Sequence, residues 1–254
     1  MSLPARPEGA PEDHLPSNQG SVETMTRARP EFSVSLMCMD LMRAGEQLAV
    51  LNDHANQYHV DIMDGHFAKN ITLSPDFVKA AYDFGALPMD MHLMTEHPGD
   101  WIELLAENGA STISVHAETV NRDAFRQLDR IRSSGCDTGV VLNPATPLSE
   151  VQHYLERIDL LTIMTVDVGY AGQPFITEML RKIEAAAELK RAEGLGFKLQ
   201  IDGSCNSRTF GSLWDAGAEV FILGSSGLFG LDPDLATAWA MMQRSFSVAT
   251  SVVL

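Results

Sequence analysis

The sequence predicts a single (β/α)8 barrel with parallel strands, preceded by a flexible N-terminal extension. From Phe32 onward, short apolar runs alternate with longer amphipathic stretches, which is typical of successive strand and helix units. The chain has 254 residues, a length that eight such units fill once. A doubly wound open sheet is the competing architecture, but no G-x-G-x-x-G follows the first predicted strand.

The first 30 residues differ in composition from the rest of the chain. They are rich in Pro, Gly, Ser and Glu and have almost no apolar periodicity. Ordering such a segment costs more free energy than it can recover by burial. We therefore expect a disordered extension over residues 1–30 and one barrel domain over residues 31–254.

Eight short apolar runs are predicted as the strands of the barrel. Their starts lie roughly 20 to 40 residues apart, which is the length that a strand, a crossover helix and two short loops require. The predicted strands are Ser33–Met37, Tyr58–Met63, Met89–Leu93, Thr112–His116, Thr138–Leu142, Leu160–Met164, Lys198–Asp202 and Val220–Gly224.

The predicted helices are marked by apolar stripes and by stop signals. One stripe, from Trp101 to Leu105, ends at Gly109, and another ends at Gly135. Glycine after the last turn is typical of a helix end, because it adopts the left-handed conformation easily. The last helix is predicted to begin at Asp232, a capping residue followed by a first-turn proline.

Composition and charge exclude several classes of protein. Hydrophobic residues make up 45% of the chain and charged residues 20%, which is near the average for globular proteins. The net charge of −16 repels nucleic acid and anionic membranes. No apolar run reaches the roughly 20 residues of a membrane helix, and the N-terminus lacks the apolar core of a secretory signal. We therefore expect a soluble, cytoplasmic protein with no nucleic-acid or membrane partner. The 3 cysteines are far apart, which predicts reduced thiols.

Polar residues gather near the ends of three predicted strands, where a (β/α)8 barrel carries its active site. Because side chains alternate along a strand, His59 and Asp61 share one face of the second strand, and Asp90 and His92 share one face of the third. The seventh strand ends in Asp202.

Two interpretations of this polar group remain open. His59, Asp61, His92 and Asp202 could be hydrogen-bonded structural residues, since buried polar groups normally find partners. Two imidazoles and two carboxylates also form a mixed nitrogen and oxygen site for one divalent metal ion. We favour the metal site, because two carboxylates buried close together are costly without a cation.

Turns of small residues follow the sixth and eighth strands. The first reads D-V-G-Y-A-G-Q from Asp167, and the second reads G-S-S-G from Gly224. Small residues let backbone N–H groups approach an anion, and a short helix after the eighth strand would add its N-terminal dipole. Ordinary glycine turns are the alternative. We favour a phosphate site, because these loops are where this fold usually binds phosphate.

Four methionines fall at predicted strand ends. They are Met37, Met63, Met94 and Met164. Methionine more often fills gaps in a core. The functional alternative is an apolar ceiling over the charged metal site.

Seven ordered blocks give the chain a resemblance to the ribulose-phosphate 3-epimerase family, from about Ser33 to about Met242. The blocks are S-L-M-C-M-D at 35–40, H-V-D-I-M-D-G-H-F at 59–67, D-M-H-L-M at 90–94, L-N-P-A-T-P at 142–147, V-D-V-G-Y-A-G-Q-P-F at 166–175, D-G-S at 202–204 and G-S-S at 224–226. Within the family, S-L-M-C-M-D and D-G-S-C are similar to the D-allulose-6-phosphate 3-epimerases. Ribulose-5-phosphate enzymes typically have S-I-L-S-A-D and D-G-G there.

The resemblance implies a TIM barrel and a metal-dependent enzyme that inverts C3 of a ketose phosphate through an ene-diolate. It implies one divalent ion, Zn, Mn, Co or Fe, on His59, Asp61, His92 and Asp202. It also implies that Asp61 and Asp202 transfer the protons. D-Allulose 6-phosphate is the expected substrate and D-fructose 6-phosphate the expected product.

The resemblance further implies where the substrate binds. Substrate oxygens are expected near Ser35 and His92. The chain departs from the family at Tyr170 and Ala171, where many members have F-G, and backbone donors would tolerate this change. The residues expected at the phosphate are Gly169, Tyr170, Ala171, Gly172, Gly203, Ser204, Gly224, Ser225 and Ser226.

Several alternatives remain. D-Ribulose 5-phosphate is the leading alternative substrate, and a non-catalytic sugar-phosphate-binding protein is the alternative of another class. A decarboxylase with D-x-K-x-x-D is not favoured, because the second strand reads D-I-M-D-G. A Schiff-base aldolase is not favoured either, because Lys198 lies at the start of its strand. The fold is also consistent with a homo-oligomer, without indicating a number of subunits.

Overall fold

Eight parallel strands close into a barrel in chain order, each paired with the next and the last paired with the first. The computed structural model describes residues 27–254, so residues 1–26 of the predicted extension lie outside the described part of the chain. The strands are β1 (Glu31–Ser35), β2 (Gln57–Met63), β3 (Met89–Met94), β4 (Thr112–His116), β5 (Asp137–Leu142), β6 (Leu160–Met164), β7 (Lys198–Asp202) and β8 (Val220–Leu223). This confirms the predicted (β/α)8 TIM barrel.

Helices connect the strands on the outside of the barrel. They are α1 (Ala44–Leu51), α2 (Pro75–Phe84), α3 (Ile102–Glu107), α4 (Ala117–Val120), α5 (Ala124–Ser133), α6 (Met179–Glu193), α7 (Phe210–Ala216) and α8 (Leu235–Thr250). The connection from β5 to β6 contains two short 3-10 helices, Leu148–Glu150 and Leu155–Arg157. No helix of residues 27–254 is both long enough and apolar enough to cross a bilayer.

The start of α8 differs from the prediction. The helix is capped by Asp234, whose side chain accepts a hydrogen bond from the N–H of Thr237 at 2.8 Å. Asp232 accepts a hydrogen bond from the N–H of Asp234, so it organises the turn before the helix. The physical reason is reach: an N-cap carboxylate accepts from an N–H two or three residues further on, inside the first turn, and Asp232 reaches only Asp234, which precedes the helix.

The first strand also differs from the prediction, which placed it at Ser33–Met37. Pairing with β8 begins at Glu31, and pairing with β2 ends at Ser35. The chain then turns into a 3-10 helix, Leu36–Cys38. Met37 therefore lies in a turn after β1 and not at a strand end, because the apolar run continues beyond the last residue that a neighbouring strand can pair.

The apolar core lies between the barrel and its helices. Phe32 of β1 and Phe221 of β8 both pack edge-on against Phe246 of α8, with ring centroids 5.1 and 5.0 Å away. Other strands contribute buried polar side chains, including His59 of β2, His92 of β3 and Gln200 of β7. Apolar contact with the helices thus stabilises the barrel, and its interior can hold polar side chains.

Candidate active site

Two histidines and two aspartates converge at the mouth of the barrel. His59 and Asp61 lie on β2, His92 lies on β3 and Asp202 ends β7. Each offers one ligand atom, and these atoms all lie within 4.8 Å of one another. The structure therefore brings together the four residues that the sequence analysis proposed as metal ligands.

The spacing of the ligand atoms fits one divalent ion. His59 Nε2 lies 3.1 Å from His92 Nδ1, and Asp61 Oδ1 lies 3.3 Å from His92 Nδ1 and 3.5 Å from His59 Nε2. Asp202 Oδ2 lies 3.6 and 3.8 Å from the same two nitrogens. Ligands about 2.1 Å from a common ion lie roughly 3.0 to 3.4 Å apart. A slight contraction would therefore place all four around a cation.

Burial and charge oppose each other at these groups. Burial alone would lower the pKa of His59, but the carboxylates of Asp61 and Asp90 raise it well above its usual value. Burial alone would raise the pKa of Asp61, but His59 and His92 lower it. Burial raises the pKa of Asp202, where the attraction of the imidazoles does not outweigh it. Carboxylates thus concentrate negative charge in a nearly dry site, which favours the binding of a cation.

A buried hydrogen-bond network below the cluster fixes the orientation of His59. Asp90 Oδ2 lies 3.0 Å from His59 Nδ1 and accepts a hydrogen bond from Gln200 Nε2 at 2.8 Å. The other oxygen of Asp90 accepts a hydrogen bond from Ser114 Oγ at 2.5 Å. A proton held at Nδ1 by Asp90 leaves Nε2 of His59 free to face the cluster. Asp90 is not among the residues predicted for the site, although the alternation of side chains along β3 places it on the same face as His92.

Gly139 on β5 makes room for this network, and we expect Gly139→Ala to destabilise the fold. The new Cβ would lie 2.0 Å from Ser114 Oγ and 2.8 Å from Ser114 Cβ, so Ser114 or its strand must move. Overpacking of this kind costs roughly 1 to 3 kcal/mol. The free energy of unfolding in denaturant, measured on protein stripped of metal, tests this expectation. Gly196→Ala is the matched control, because no atom lies within 4 Å of its Cβ position. Equal stability of the two variants would contradict the prediction.

A cleft that is partly open to solvent lies above the cluster. The proposed site residues line it, except His59 and His92, which are buried beneath it. Those that line it are Ser35, Met37, Asp61, Met63, Met94, Met164, Gly169, Tyr170, Ala171, Gly172, Asp202, Gly203, Ser204, Gly224, Ser225 and Ser226. Met37 thus reaches the cleft from the turn after β1.

The β6–α6 loop is fastened to the β2–α2 loop across the cleft. The Tyr170 hydroxyl donates a hydrogen bond to the carbonyl of Lys69 at 2.6 Å. Asn70 Nδ2 donates to the carbonyl of Gly169 at 2.8 Å. The Tyr170 hydroxyl, which a phenylalanine would lack, therefore supplies one of the contacts between the two loops.

The loops after β6, β7 and β8 are also joined. Gly203 and Ser204 both have positive φ, 113° and 50°, which is rare for serine. The Ser204 hydroxyl donates a hydrogen bond to the carbonyl of Gln173 at 2.6 Å. Asn206 Nδ2 donates to the hydroxyl of Ser226 at 3.1 Å. Together these bonds hold the small-residue turns in one place.

The turn after β8 requires glycine at one position. A five-residue π-helical turn, Ser225–Phe229, follows the strand, in the place where a short helix was expected. At Gly227 a Cβ would lie 2.2 Å from the carbonyl oxygen of Cys205. The absence of a side chain at Gly227 therefore lets the β8 turn lie against the β7 turn.

Other residues line the cleft that the sequence analysis did not select. They include Cys38, Asp167, Gln173 and Cys205. Cys38, Asp167 and Gln173 belong to the seven blocks that carry the family resemblance, and Cys205 directly follows one of them. Block membership was therefore the signal that could have found them.

A closed (β/α)8 barrel with imidazoles, carboxylates and small-residue loops at its C-terminal mouth has the architecture of a TIM-barrel enzyme active site. Comparison with known proteins specifies the class. Residues 31–229 match the sequence profile of the Ribulose-phosphate 3 epimerase family. The chain belongs to this family and is an epimerase.

Individual relatives cover nearly the whole barrel. Ribulose-phosphate 3-epimerase of Mycobacterium bovis is 34% identical over 221 residues, covering 87% of this chain and 95% of the relative. Ribulose-phosphate 3-epimerase of Bacillus subtilis is 38% identical over 197 residues, covering 76% of this chain and 89% of the relative.

Solved structures support the fold alone. 3-Hexulose-6-phosphate synthase from Salmonella typhimurium superposes with a TM-score of 0.62 at 15% identity, covering 86% of this chain and 99% of that chain. A mutant tryptophan synthase alpha-subunit from Pyrococcus furiosus gives a TM-score of 0.61 at 12% identity, covering 89% and 99%. Identities this low carry no information about the reaction.

Proposed function

We propose that the protein interconverts D-allulose 6-phosphate and D-fructose 6-phosphate by inverting C3. The observation that carries the proposal is the approach of two carboxylates to one cluster from separate strands. Asp61 comes from β2 and Asp202 from β7, and β1 and β8 lie between them in the barrel. Inversion needs a proton removed from one face of C3 and returned to the other. Two carboxylates that approach from different sides meet that need.

Asp61 and Asp202 act as the acid and the base, and they exchange these roles with the direction of the reaction. Ser35 supports Asp61, because its hydroxyl donates a hydrogen bond to Asp61 Oδ2 at 3.0 Å. That bond holds one oxygen and leaves Oδ1 directed at the cluster. The Asp202 side chain is more exposed, at 17% against 5% for Asp61. Asp202 therefore has more freedom to approach a substrate carbon.

His59, Asp61, His92 and Asp202 would hold the divalent ion, of which Zn, Mn, Co and Fe are the candidates. The ion would act as a Lewis acid that stabilises negative charge developing on the substrate oxygens, worth several kcal/mol. Ser35, which lines the cleft, would contact those oxygens, and His92, whose Nδ1 faces the cluster and whose Nε2 faces His116, would act on them through the ion. Met37, Met63, Met94 and Met164 would cover the reacting carbons and keep water away from them.

The phosphate would bind at the joined turns on the far side of the cleft. These turns comprise residues 169–172, 203–204 and 224–226, which line the cleft together. Binding energy from the phosphate would hold C3 between the two carboxylates, which converts remote affinity into orientation.

The six-carbon substrate is supported by where the sequence departs from the ribulose-5-phosphate pattern. Met37, Cys38, Ser204 and Cys205 belong to the two blocks that differ, and all four line the cleft. Such substitutions contact substrate and alter the shape of its pocket. The named relatives favour D-ribulose 5-phosphate as the alternative substrate.

Comparison of kcat/KM for the two sugar phosphates tests the substrate. We expect D-allulose 6-phosphate to be favoured by roughly 10-fold or more, the discrimination that a shaped pocket commonly provides. We expect Ser204→Gly to shift the ratio towards D-ribulose 5-phosphate, while Cys136→Ser, buried away from the cleft, leaves it unchanged. A ratio that favours the five-carbon sugar would contradict the proposed substrate. No deuterium exchange from heavy water into any ketose phosphate would indicate a non-catalytic sugar-phosphate-binding protein.

The domain boundaries, the oligomeric state and the location of the enzyme are further proposals. We propose one catalytic domain over residues 31–254, a homo-oligomer of unspecified size and a cytoplasmic location. The small-molecule partner is a sugar phosphate, with no nucleic-acid or membrane partner, because of the net charge of −16.

A further inference from the structure

A chain of hydrogen bonds leads from the metal-ligand cluster to the segments that follow β4 and β5. His92 Nε2 lies 2.8 Å from His116 Nε2, and His116 Nδ1 lies 3.1 Å from Glu118 Oε2. The rings of His92 and His116 lie end to end, with centroids 4.9 Å apart and an interplanar angle of 28°. Phe67 covers His116 at a centroid distance of 4.6 Å. His116 is fully buried, so its contacts are specific and shielded from water.

These hydrogen bonds are compatible with only one arrangement of protons when Nδ1 of His92 acts as a metal ligand. Nδ1 of His92 is the atom that faces Asp61 and Asp202, so its proton is on Nε2. His116 Nε2 must then accept that proton's hydrogen bond, and its own proton is on Nδ1. That Nδ1–H donates to the carboxylate of Glu118. Glu118 therefore determines, through His116, which nitrogen of His92 is free to bind a metal.

Glu118, the last residue in this series of hydrogen bonds, is held by a loop that has no other assigned role. Glu118 Oε1 accepts hydrogen bonds from the N–H of Asn143, at 3.0 Å, and from the hydroxyl of Thr146. Both donors belong to the L-N-P-A-T-P block at 142–147. Lys182 of α6 donates to the carbonyls of Asn143, Pro144 and Thr146 at 2.9, 2.7 and 2.7 Å. The loop is therefore fixed from outside by one half-buried lysine.

We propose that His116 and Glu118 are positioning residues that set the tautomer and direction of His92, and that Lys182 and the 142–147 loop hold them in place. This inference rests on the metal site proposed above. Positioning residues of this kind orient a ligand before the metal arrives, so that less free energy is lost on binding. Their removal typically weakens metal binding by about 10- to 100-fold.

Two substitutions of His116 separate positioning from packing. His116→Met keeps much of the side-chain volume but offers no strong acceptor to His92. His116→Gln can place an amide oxygen near the position of Nε2 and restore that acceptor. We expect His116→Met to weaken Zn²⁺ binding by about 10- to 100-fold and His116→Gln to recover most of that loss. Competition with a chromogenic chelator measures the affinity, and the visible spectrum of the Co²⁺ form reports the ligand geometry.

A remote variant and a control complete the experiment. Lys182 contacts no metal ligand, yet we expect Lys182→Met to weaken Zn²⁺ binding, as His116→Met does. Thr138→Val removes a buried hydroxyl that bonds to the carbonyl of Arg157 at 2.8 Å, away from the chain of bonds, and should leave Zn²⁺ affinity unchanged. Melting of each metal-free variant measures any general loss of stability.

The outcomes distinguish this inference from the metal site itself. Wild-type affinity in His116→Met would overturn the positioning role and leave the metal site intact. Equal losses in His116→Met and His116→Gln, in proportion to their losses of metal-free stability, would show that His116 acts only by packing. Failure of the wild-type protein to bind Zn²⁺ or Co²⁺ would overturn the metal site and the positioning role together.

Discussion

Asp202→Asn should lower kcat for epimerisation by roughly 10²- to 10⁴-fold, the usual contribution of a general acid or base. The asparagine keeps an oxygen for the cluster but cannot take or return a proton. Asp61 would still remove the proton from the face of C3 that it contacts. We therefore expect heavy water to exchange deuterium into one C3 epimer and not into the other, as measured by mass spectrometry.

Asp61→Asn is the matched partner of this variant. It should allow deuterium to exchange into the opposite C3 epimer. Asp53→Asn, an exposed carboxylate after α1, is the control for the loss of one negative charge. Metal content measured on each variant separates lost proton transfer from lost metal. Full epimerisation by Asp202→Asn, or exchange of the same epimer by both variants, would overturn the two-carboxylate mechanism.

Removal of the metal should abolish activity. Lewis-acid stabilisation of several kcal/mol corresponds to a factor of about 10³ or more in rate. Dialysis against a chelator should therefore inactivate the enzyme, and Mn²⁺, Co²⁺ or Zn²⁺ should restore it. Ca²⁺, which prefers six or more oxygen ligands, should restore little, because the cluster offers two nitrogens.

The same ions should stabilise the fold, since the metal-free site concentrates carboxylates in a buried space. At an ion concentration 100 times Kd, binding contributes about 2.7 kcal/mol, which raises Tm by roughly 5 to 11 °C for a domain of this size. His59→Asn should remove this rise, because its shorter side chain cannot place a nitrogen at the cluster. An unchanged Tm on adding these ions would contradict the expected stabilisation. Undiminished turnover by protein shown to contain no metal would contradict the expected loss of activity.

The strand pattern of this chain was predictable because each strand is encoded by its own residues. The predicted limits of β4, β6 and β7 agree with the structure. Alternation along β2 and β3 also placed the polar side chains on the inner face. The predicted boundaries were wrong where a contact with another residue sets the end of the element. β1 ends at the last residue that pairs with β2, and α8 begins after Asp234 because the Asp234 side chain accepts a hydrogen bond from Thr237.

Parts of the active site depend on residues that are distant in sequence, and no local pattern reveals them. Asp90 meets Gln200 across 110 positions, and Tyr170 meets Lys69 across 101. Each contact exists only because the barrel brings separate strand ends together. The hydrogen-bond network around the cluster therefore could not be predicted from the sequence, because no local pattern shows which of these residues contact each other.

The barrel, the polar ends of its strands and the family resemblance follow from local residue patterns, because alternation, strand spacing and short blocks are local properties. Folding in three dimensions sets which nitrogen of each histidine faces the cluster and which loops close on one another. It also decided that Lys182 fastens the loop behind Glu118. Hydrogen-bond direction depends on the position of both partners, and folding sets that position when it closes the barrel.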